Sequence, residues 1–192
     1  MKENGHTLVE LVFVLLILVL FICISVPNLK AYSSEAHIVG AASVFKQEFL
    51  KARSIATTSG RQTAIRFEQD GDVPMISVYQ DGGCNGVLSA DINKGVDRRI
   101  SGPHRLESGA PTVRIAIHPL IPNVPPERGL LDPSDPIRFG NSNMVSFSPI
   151  GGATPGTFYL AGANGVQGAV RVTGNTNRIR VMIYRGSKWR EQ

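Results

Sequence analysis

The strongest chemical signal in the sequence is a group of cations in residues 171–192. Residues 1–170 contain 14 Lys and Arg residues and 14 Asp and Glu residues, whereas residues 171–192 contain 6 cations and Glu191 alone. The net charge of +5 therefore comes entirely from this basic segment. Guanidinium and ammonium groups can contact phosphates without reading base sequence, so the segment is a candidate surface for nucleic acid or lipid headgroups. A solvated strand without a ligand is the alternative.

Alternation within residues 177–185 predicts a strand whose two faces differ. Ile179, Val181 and Ile183 form an apolar face, which is expected to pack on a helix. The other face carries guanidinium groups and an aromatic ring, which could contact phosphates and stack on exposed bases. Trp189 follows closely in the chain. The candidate DNA-binding residues are Arg178, Arg180, Arg185, Lys188 and Arg190.

A single carboxylate, Glu10, lies at the other end of the chain beside a long apolar run. No residue in 11–24 is charged. Residues 7–26 give the ~20 positions that a helix needs to cross a bilayer core. An ionised side chain at the centre of a membrane costs ~2.5–3.5 kcal/mol, so Glu10 is expected to have a partner.

Three kinds of apolar segment could account for these residues. A secretory signal peptide has a basic start, but here Lys2 is offset by Glu3, and the only tolerable cut would follow Ser25. A lipoprotein cut before Cys23 would lack the small residues that such a site requires. A plain transmembrane anchor, with its acid facing another helix, is the remaining alternative.

Residues 5–11, Gly-His-Thr-Leu-Val-Glu-Leu, resemble the class III leader site of type IV pilins and type II secretion pseudopilins. The usual form of that site is Gly-Phe-Thr-Leu-Ile-Glu-Leu, so His6 departs from the pattern. The resemblance implies that prepilin peptidase cuts between Gly5 and His6 on the cytoplasmic side and that His6 becomes N-methylated. It also implies that Glu10 pairs with the new α-amine of a neighbouring subunit, which would neutralise both charges in a low-dielectric setting.

A helix is expected to continue beyond Pro27, where the proline predicts a kink. Residues 57–60 predict its end, with Gly60 as the C-terminal cap. Apolar residues recur at steps of four and three along this part of the chain. They predict a stripe that packs on a sheet: Ile38, Ala42, Phe45, Phe49, Ala52 and Ala56.

After Gly60 the pattern changes to that of strands. Residues 63–67 and 75–79 predict a hairpin about a turn at 69–72. Further strands are predicted at 113–117, 144–147, 157–161, 168–173 and 177–185, with a hairpin turn at 162–165. Glycine and proline are dense in 81–112 and 118–143, which are therefore predicted to be long loops that select a partner.

Residues 144–158 carry a second resemblance, to a Phe-Ser-Pro, Gly, Thr-Pro-Gly-Thr segment of GspH/FimT-type minor pilins. Residues 51–54 also fit that pattern. GspH-type proteins belong to the type II secretion pseudopilus, whereas FimT-type proteins belong to type IV pili and in some members bind DNA for uptake. The FimT-like DNA-binding pattern is Gly-Arg-x-Arg. Here Arg178 and Arg180 match it, and Asn177 replaces the glycine.

No pattern in the sequence supports catalysis. The histidines lack metal-ligand spacing and pair neither with a cysteine nor with a Gly-x-Ser-x-Gly elbow. Cys84 lies in a glycine-rich stretch that a surface turn explains better than a reactive thiol, and Cys23 is not expected to reach it. The expectation is no enzyme, no cofactor and no metal. The histidines are His6, His37, His104 and His118.

The resulting expectation is an α+β, pilin-like fold, with a long N-terminal helix on antiparallel sheet. It divides the chain into a leader (1–5), a transmembrane assembly segment (6–27), an amphipathic helical half (28–60) and a β-rich periplasmic domain (61–192). The resemblance implies a single-pass protein of the bacterial inner membrane that joins other pilin or pseudopilin subunits in a fibre. The alternatives are a DNA-binding minor pilin acting in natural competence and, third, an anchored periplasmic hydrolase.

Overall fold

The computed structural model describes residues 8–70, 73–105, 113–174 and 176–192. The leader at 1–5, the cleavage pair Gly5 and His6, and the turn residues 71–72 lie outside the described residues.

One long helix, α1 (Leu8–Ser59), dominates the first third of the chain. It continues without a break through Pro27, where the sequence predicted a kink. It ends at the predicted place, since Gly60 follows with φ +67, the left-handed conformation typical of a C-terminal cap. In the part of the chain that the structure describes, no helix has both the length and the apolar character needed to span a membrane.

The predicted stripe on α1 is confirmed, because each of its six side chains is at most 2 % exposed. The first part of the helix differs completely. From Leu8 to Ile22 the apolar side chains are all exposed, with exposed fractions of 38 to 81 %. One helix thus has a half that packs on the rest of the chain and a half that nothing in the described chain covers.

In the described residues after α1, the chain forms ten strands and a short second helix. In chain order they are β1 (Thr63–Asp70), β2 (Val73–Gln80), α2 (Ser89–Asn93), β3 (Arg98–Arg105), β4 (Arg114–Ile115), β5 (Ile137–Arg138), β6 (Met144–Phe147), β7 (Gly156–Ala161), β8 (Gln167–Val172), β9 (Ile179–Arg185) and β10 (Lys188–Glu191).

The strands form two antiparallel sheets. Sheet A has the order β3-β2-β1-β6, and its β1–β2 pair is the predicted hairpin. Sheet B has the order β10-β9-β8-β7-β4, and β5 also pairs with β7. A 3-10 turn, Ala163–Gly165, joins β7 to β8, which confirms the predicted turn in that position.

Both sheets pack on the second half of α1 through a cluster of phenylalanine rings. The centroid of the Phe49 ring lies 6.2 Å from that of Phe67 in sheet A, 6.0 Å from Phe147 in sheet A, and 5.9 Å from Phe158 in sheet B. The phenylalanines on α1 therefore join three layers into one core. This arrangement confirms the α+β class and the packing of a helix on antiparallel sheet.

The prediction that 81–112 is one long loop is wrong, since this stretch contains α2 and the eight-residue strand β3. The sequence did not predict this strand because it contains Gly102 and Pro103. Among the described strands β3 pairs only with β2, and two register shifts interrupt that pairing. An edge strand with bulges tolerates proline, because no second ladder needs its missing N–H.

Two buried aspartates organise the chain between β2 and β3. Asp97 accepts hydrogen bonds from the backbone N–H groups of Gly82 (3.0 Å) and Leu88 (2.9 Å). Asp81 accepts from those of Gly83 and Gly86, both at 2.9 Å. Carboxylates that accept several N–H bonds hold a turn in one conformation. This segment is therefore an ordered support for the start of β3.

The predicted loop at 118–143 is also partly wrong, because it contains β5 and covers the outer face of sheet B. Three apolar residues of this segment, together with Ile117 just before it, pack there on Tyr159 and Ala169 as a second core. Prolines prevented a regular ladder over most of the segment but did not prevent burial. The four residues are Ile117, Ile121, Val124 and Leu131.

Candidate functional site

The basic segment contains the last two residues of β8 and all of β9 and β10, at one side of sheet B. The predicted apolar face of β9 is confirmed, since Ile179, Val181 and Ile183 are buried in the core with α1. The opposite face holds Arg178 and Arg180, whereas the strand register places Arg185, Lys188 and Arg190 on the same face as Ile183. The opposite face also holds Met182, Tyr184 and Trp189, which pack against the second core.

The aromatic rings of this face are half-buried. The ring centroids of Tyr184 and Trp189 lie 5.4 Å apart, and the Trp189 Nε1–H donates to the carbonyl oxygen of Pro122 at 3.0 Å. The 117–131 segment therefore occupies the side of these rings that the sequence assigned to nucleic-acid bases. Phosphate contact by the neighbouring cations does not depend on the rings.

Three of the five sequence-predicted cations have carboxylate partners. One carboxylate oxygen, Glu191 Oε1, lies 2.9 Å from Arg178 Nη2 and 3.8 Å from Arg180 Nε. Arg185 Nη1 lies 2.6 Å from Glu35 Oε2 on α1. The structure thus brings Arg178 and Arg180 together and holds Arg185 apart from them.

Lys188 and Arg190, on β10, are exposed. No carboxylate of the described residues lies within 4.0 Å of either cation, although their strand ends at Glu191. They complete the five predicted residues, of which only Arg178 and Arg180 share a partner.

Strand register adds two arginines that the sequence did not single out. Arg138 on β5 lies opposite Thr157 on β7, Thr157 lies opposite Arg171 on β8, and Arg171 lies opposite Arg180 on β9. Residues directly opposite each other share a face of the sheet. We call Arg138, Arg171 and Arg180, with the adjacent Arg178, the arginine row.

Like charges opposite each other destabilise a sheet, so the arginine row needs compensation. Carboxylates supply it. Arg171 Nη2 lies 2.5 Å from Glu127 Oε1, and Arg138 Nε lies 3.5 Å from Asp135 Oδ2. Together with Glu191, three carboxylates form ion pairs with the four guanidinium groups of the row. We call an arginine or lysine with such a carboxylate partner braced. All of these groups are at least partly exposed, so the surplus cation faces solvent.

Two arginines of the row also hold the proline-rich segment in place. Arg171 Nη1 donates to the carbonyl oxygens of Val124 (3.4 Å) and Pro125 (3.1 Å). Arg138 donates from Nη1 to Asn123 Oδ1 at 3.3 Å and from Nε to the Asp135 carbonyl oxygen at 3.2 Å. Alternation in the predicted strand 168–173 placed Arg171 between two apolar residues, which is the signal that could have revealed its face.

A pocket of about 310 Å³ opens within the arginine row. Tyr159 lines it and is 1 % exposed, and the guanidinium carbon of Arg138 lies 5.6 Å from the centre of its ring. Burial raises the pKa of the Tyr159 hydroxyl above its ordinary value, so the group stays protonated at neutral pH. The polar side chains of the lining are Glu127, Arg138, Thr157, Tyr159, Arg171 and Thr173.

A second basic surface lies at the start of β3. Lys94, Arg98 and Arg99 are exposed, and among the described residues no carboxylate lies within 4.0 Å of any of them. We call these three residues the β3 cations. Lys94 lies between the two aspartates Asp81 and Asp97, and Arg98 and Arg99 follow them, in a stretch that the sequence predicted to be loop.

The remaining predicted residues lie elsewhere. Glu10 is in the first turn of α1. Cys84 is exposed and forms no disulfide, and its φ of 59 places it in a tight turn. His104 Nε2 lies 2.8 Å from Ser101 Oγ, and His118 Nε2 lies 2.9 Å from the Gly162 carbonyl oxygen. Within the described ranges no group of three His, Cys, Asp or Glu side chains could hold a metal ion.

In comparison with known proteins, the chain matches no protein-family model, no curated protein sequence and no solved structure.

Proposed function

We propose that the chain is a minor subunit of a type IV pilus or a type II secretion pseudopilus. In this proposal residues 6–27 anchor the protein in the bacterial inner membrane, and residues 61–192 form its periplasmic domain. The observation that carries the proposal is the division of α1 into a buried half and an exposed apolar half. A long apolar surface of this kind is typical of a segment that lipid or another protein covers.

The proposed assembly contact lies in that exposed half. Glu10 is the one ionisable residue between Leu8 and Ile22. In lipid or in a fibre core, an opposite charge close to a carboxylate stabilises it. The resemblance of residues 5–11 to a class III leader supplies that charge, because cleavage after Gly5 by prepilin peptidase creates an α-amine that can be methylated at His6. The amine of one subunit would pair with Glu10 of its neighbour.

Substitution of Glu10 tests this assembly contact. The variant Glu10→Ala should insert and be processed normally but should be missing from sheared fibres, because its neighbour's amine has no counter-charge. Val9→Ala is the matched control, since it trims an adjacent exposed side chain without removing a charge, and it should assemble normally. Normal incorporation of Glu10→Ala into fibres would contradict the proposed role.

DNA binding during uptake is the second candidate function, and the arginine row favours it. Neighbouring strands lie about 4.8 Å apart, so Arg171 and Arg180 are one strand spacing apart and Arg138 is two strand spacings from Arg171. Guanidinium groups at these intervals can follow a phosphate backbone. Because Tyr184 and Trp189 are half-buried, this binding would rest on phosphate contacts rather than base stacking.

A gel-shift series at rising salt tests the second candidate. We expect the full chain in detergent to shift DNA at low salt. The variant Arg178→Ala/Arg180→Ala should lose affinity and reduce the slope of log affinity against log salt by roughly 2, one unit for each lost phosphate contact. The matched control is Arg98→Ala/Arg99→Ala, which removes two β3 cations and should leave affinity almost unchanged. Absence of any shift at low salt would eliminate this candidate.

A further inference from the structure

We propose that the pocket of the arginine row binds a phosphate group, through Arg138 and Arg171 at its walls and the hydroxyls of Thr157 and Tyr159 at its floor. This inference is independent of fibre assembly and does not require that the chain bind DNA. It assigns a ligand site to residues of β5, β7 and β8, of which Arg138, Thr157 and Tyr159 lie outside the basic segment.

The pocket lining is rich in hydrogen-bond donors. Thr157 is 6 % exposed and Tyr159 is 1 % exposed, yet both line the open space. No described residue accepts a hydrogen bond from either hydroxyl. Because neither hydroxyl oxygen is enclosed by protein, both are accessible from the pocket, and a ligand oxygen there can accept their hydrogen bonds.

The two guanidinium groups are held in position but are not saturated. A guanidinium carries five N–H donors. Arg138 uses Nε and Nη1, and within the described residues its Nη2 has no acceptor. Arg171 uses Nη1 and Nη2, and its Nε has none there. Donors fixed by other bonds can bind an anion without first losing side-chain entropy.

The direction of the donors favours phosphate over a flat carboxylate. Arg138 and Arg171 stand on strands to either side of β7, whereas the hydroxyls of Thr157 and Tyr159 belong to β7 itself. An oxyanion at the centre would therefore receive donors from both sides and from below, which suits a tetrahedral group. The volume of about 310 Å³ lies at the lower end of the range for small-molecule sites, about 300–1,000 Å³.

Glu127 is the internal competitor for this site. Its carboxylate is the anion nearest to Arg171, with the two charged atoms 2.5 Å apart, and its side chain is half-exposed. A bound phosphate would repel the Glu127 carboxylate and would bind Arg171 either beside it or in its place. Removing the charge of Glu127 should therefore tighten phosphate binding, whereas removing Arg138 should weaken it.

The test is a titration of the full chain in detergent micelles, followed by the backbone amide NMR signals of Thr157 and Arg171. Inorganic phosphate and ribose 5-phosphate should each give saturable shifts, and neutral ribose should give none. A single-stranded oligonucleotide forms the last arm. If ribose 5-phosphate displaces it, the pocket takes phosphates of a nucleic-acid chain. If ribose 5-phosphate binds but does not displace the oligonucleotide, the pocket takes a small phosphate, and any DNA binding lies outside the pocket.

Three variants make the result decisive. Arg138→Ala should weaken phosphate binding about tenfold or more, the usual effect of losing a charged hydrogen bond. Glu127→Gln should tighten it several-fold, an outcome that loss of folding cannot produce. Arg98→Ala removes an exposed cation of sheet A that does not line the pocket, so the affinity of this variant for phosphate should match that of the unchanged chain. The proposal would be overturned if neither phosphate compound gives saturable shifts. It would also be overturned if Glu127→Gln does not bind phosphate more tightly than the unchanged chain.

Discussion

The two basic surfaces of this protein differ in where their carboxylates are. On sheet B, three carboxylates brace the four guanidinium groups of the arginine row. On sheet A, the β3 cations have no carboxylate within 4.0 Å among the described residues. There the nearby aspartates, Asp81 and Asp97, are buried and accept backbone N–H groups instead.

This contrast shows that a surplus of charge in one part of a sequence does not locate the free charge on the surface. Residues 171–192 hold the whole formal surplus, yet Glu35 and Glu127 reach two of their arginines from distant parts of the chain. Braced arginines are ordered and oriented, which suits recognition of a defined anion. Unbraced cations contribute a diffuse field, which screening by salt weakens.

The largest difference that we expect between the two surfaces is in stability. Arg171→Ala should lower the free energy of unfolding by about 2 kcal/mol, because it leaves the buried carbonyl of Val124 without its donor and Glu127 without its partner. Arg98→Ala should change stability by less than about 0.5 kcal/mol, as exposed unpaired side chains usually do. Urea unfolding of the two variants measures both values. Equal losses would remove the distinction between braced and unbraced cations.

We expect a smaller effect on DNA affinity when a carboxylate partner of the arginine row is removed and the arginines are kept. Glu191→Gln frees Arg178 and Arg180 from a shared negative charge, so affinity for DNA should rise several-fold at low salt. Stability should fall by less than about 1 kcal/mol, because the pair is exposed. Glu35→Gln, which frees Arg185 alone, is the matched control for the same gel-shift measurement. A fall in affinity for Glu191→Gln would mean that the carboxylate positions the row rather than opposing it.

The smallest effect that we expect is a change in stability at alkaline pH, caused by Tyr159 in the pocket of the arginine row. The pKa of Tyr159 is raised by burial, so the folded chain keeps this proton more tightly than the unfolded chain does. The stabilisation is therefore complete below about pH 10, the ordinary pKa of tyrosine, and is lost as pH rises through the higher folded value. Above that pH, the free energy of unfolding of the unchanged chain should fall relative to that of Tyr159→Phe, because phenylalanine has no hydroxyl to ionise. A constant difference would contradict burial of an ionisable hydroxyl.

Periodicity was sufficient to predict the parts of the fold that depend on one buried face. The stripe from Ile38 to Ala56 and the inward residues Ile179, Val181 and Ile183 are examples, because alternation records directly which side meets the core. The strand β3 escaped the same reasoning. Its exposure at a sheet edge, its bulges and Pro103 remove the alternation on which such a prediction depends.

The candidate site was predictable only in part, because it is assembled by register. Arg178 and Arg180 are close in sequence and were identified, whereas Arg138 joins them through two intervening strands. Register between distant strands depends on the whole sheet, and a single sequence does not contain it in local form. Ion-pair partners such as Glu127 are hidden for the same reason.

Membrane delivery and fibre assembly form the central claim, and the N-terminus of the protein in assembled fibres tests it most directly. Intact-mass and peptide mass spectrometry of sheared fibres should find a chain that begins at His6, with a methyl group on its α-amine. A chain that still begins at Met1, or one that begins at Val26 after cleavage by a secretory signal peptidase, would contradict the account.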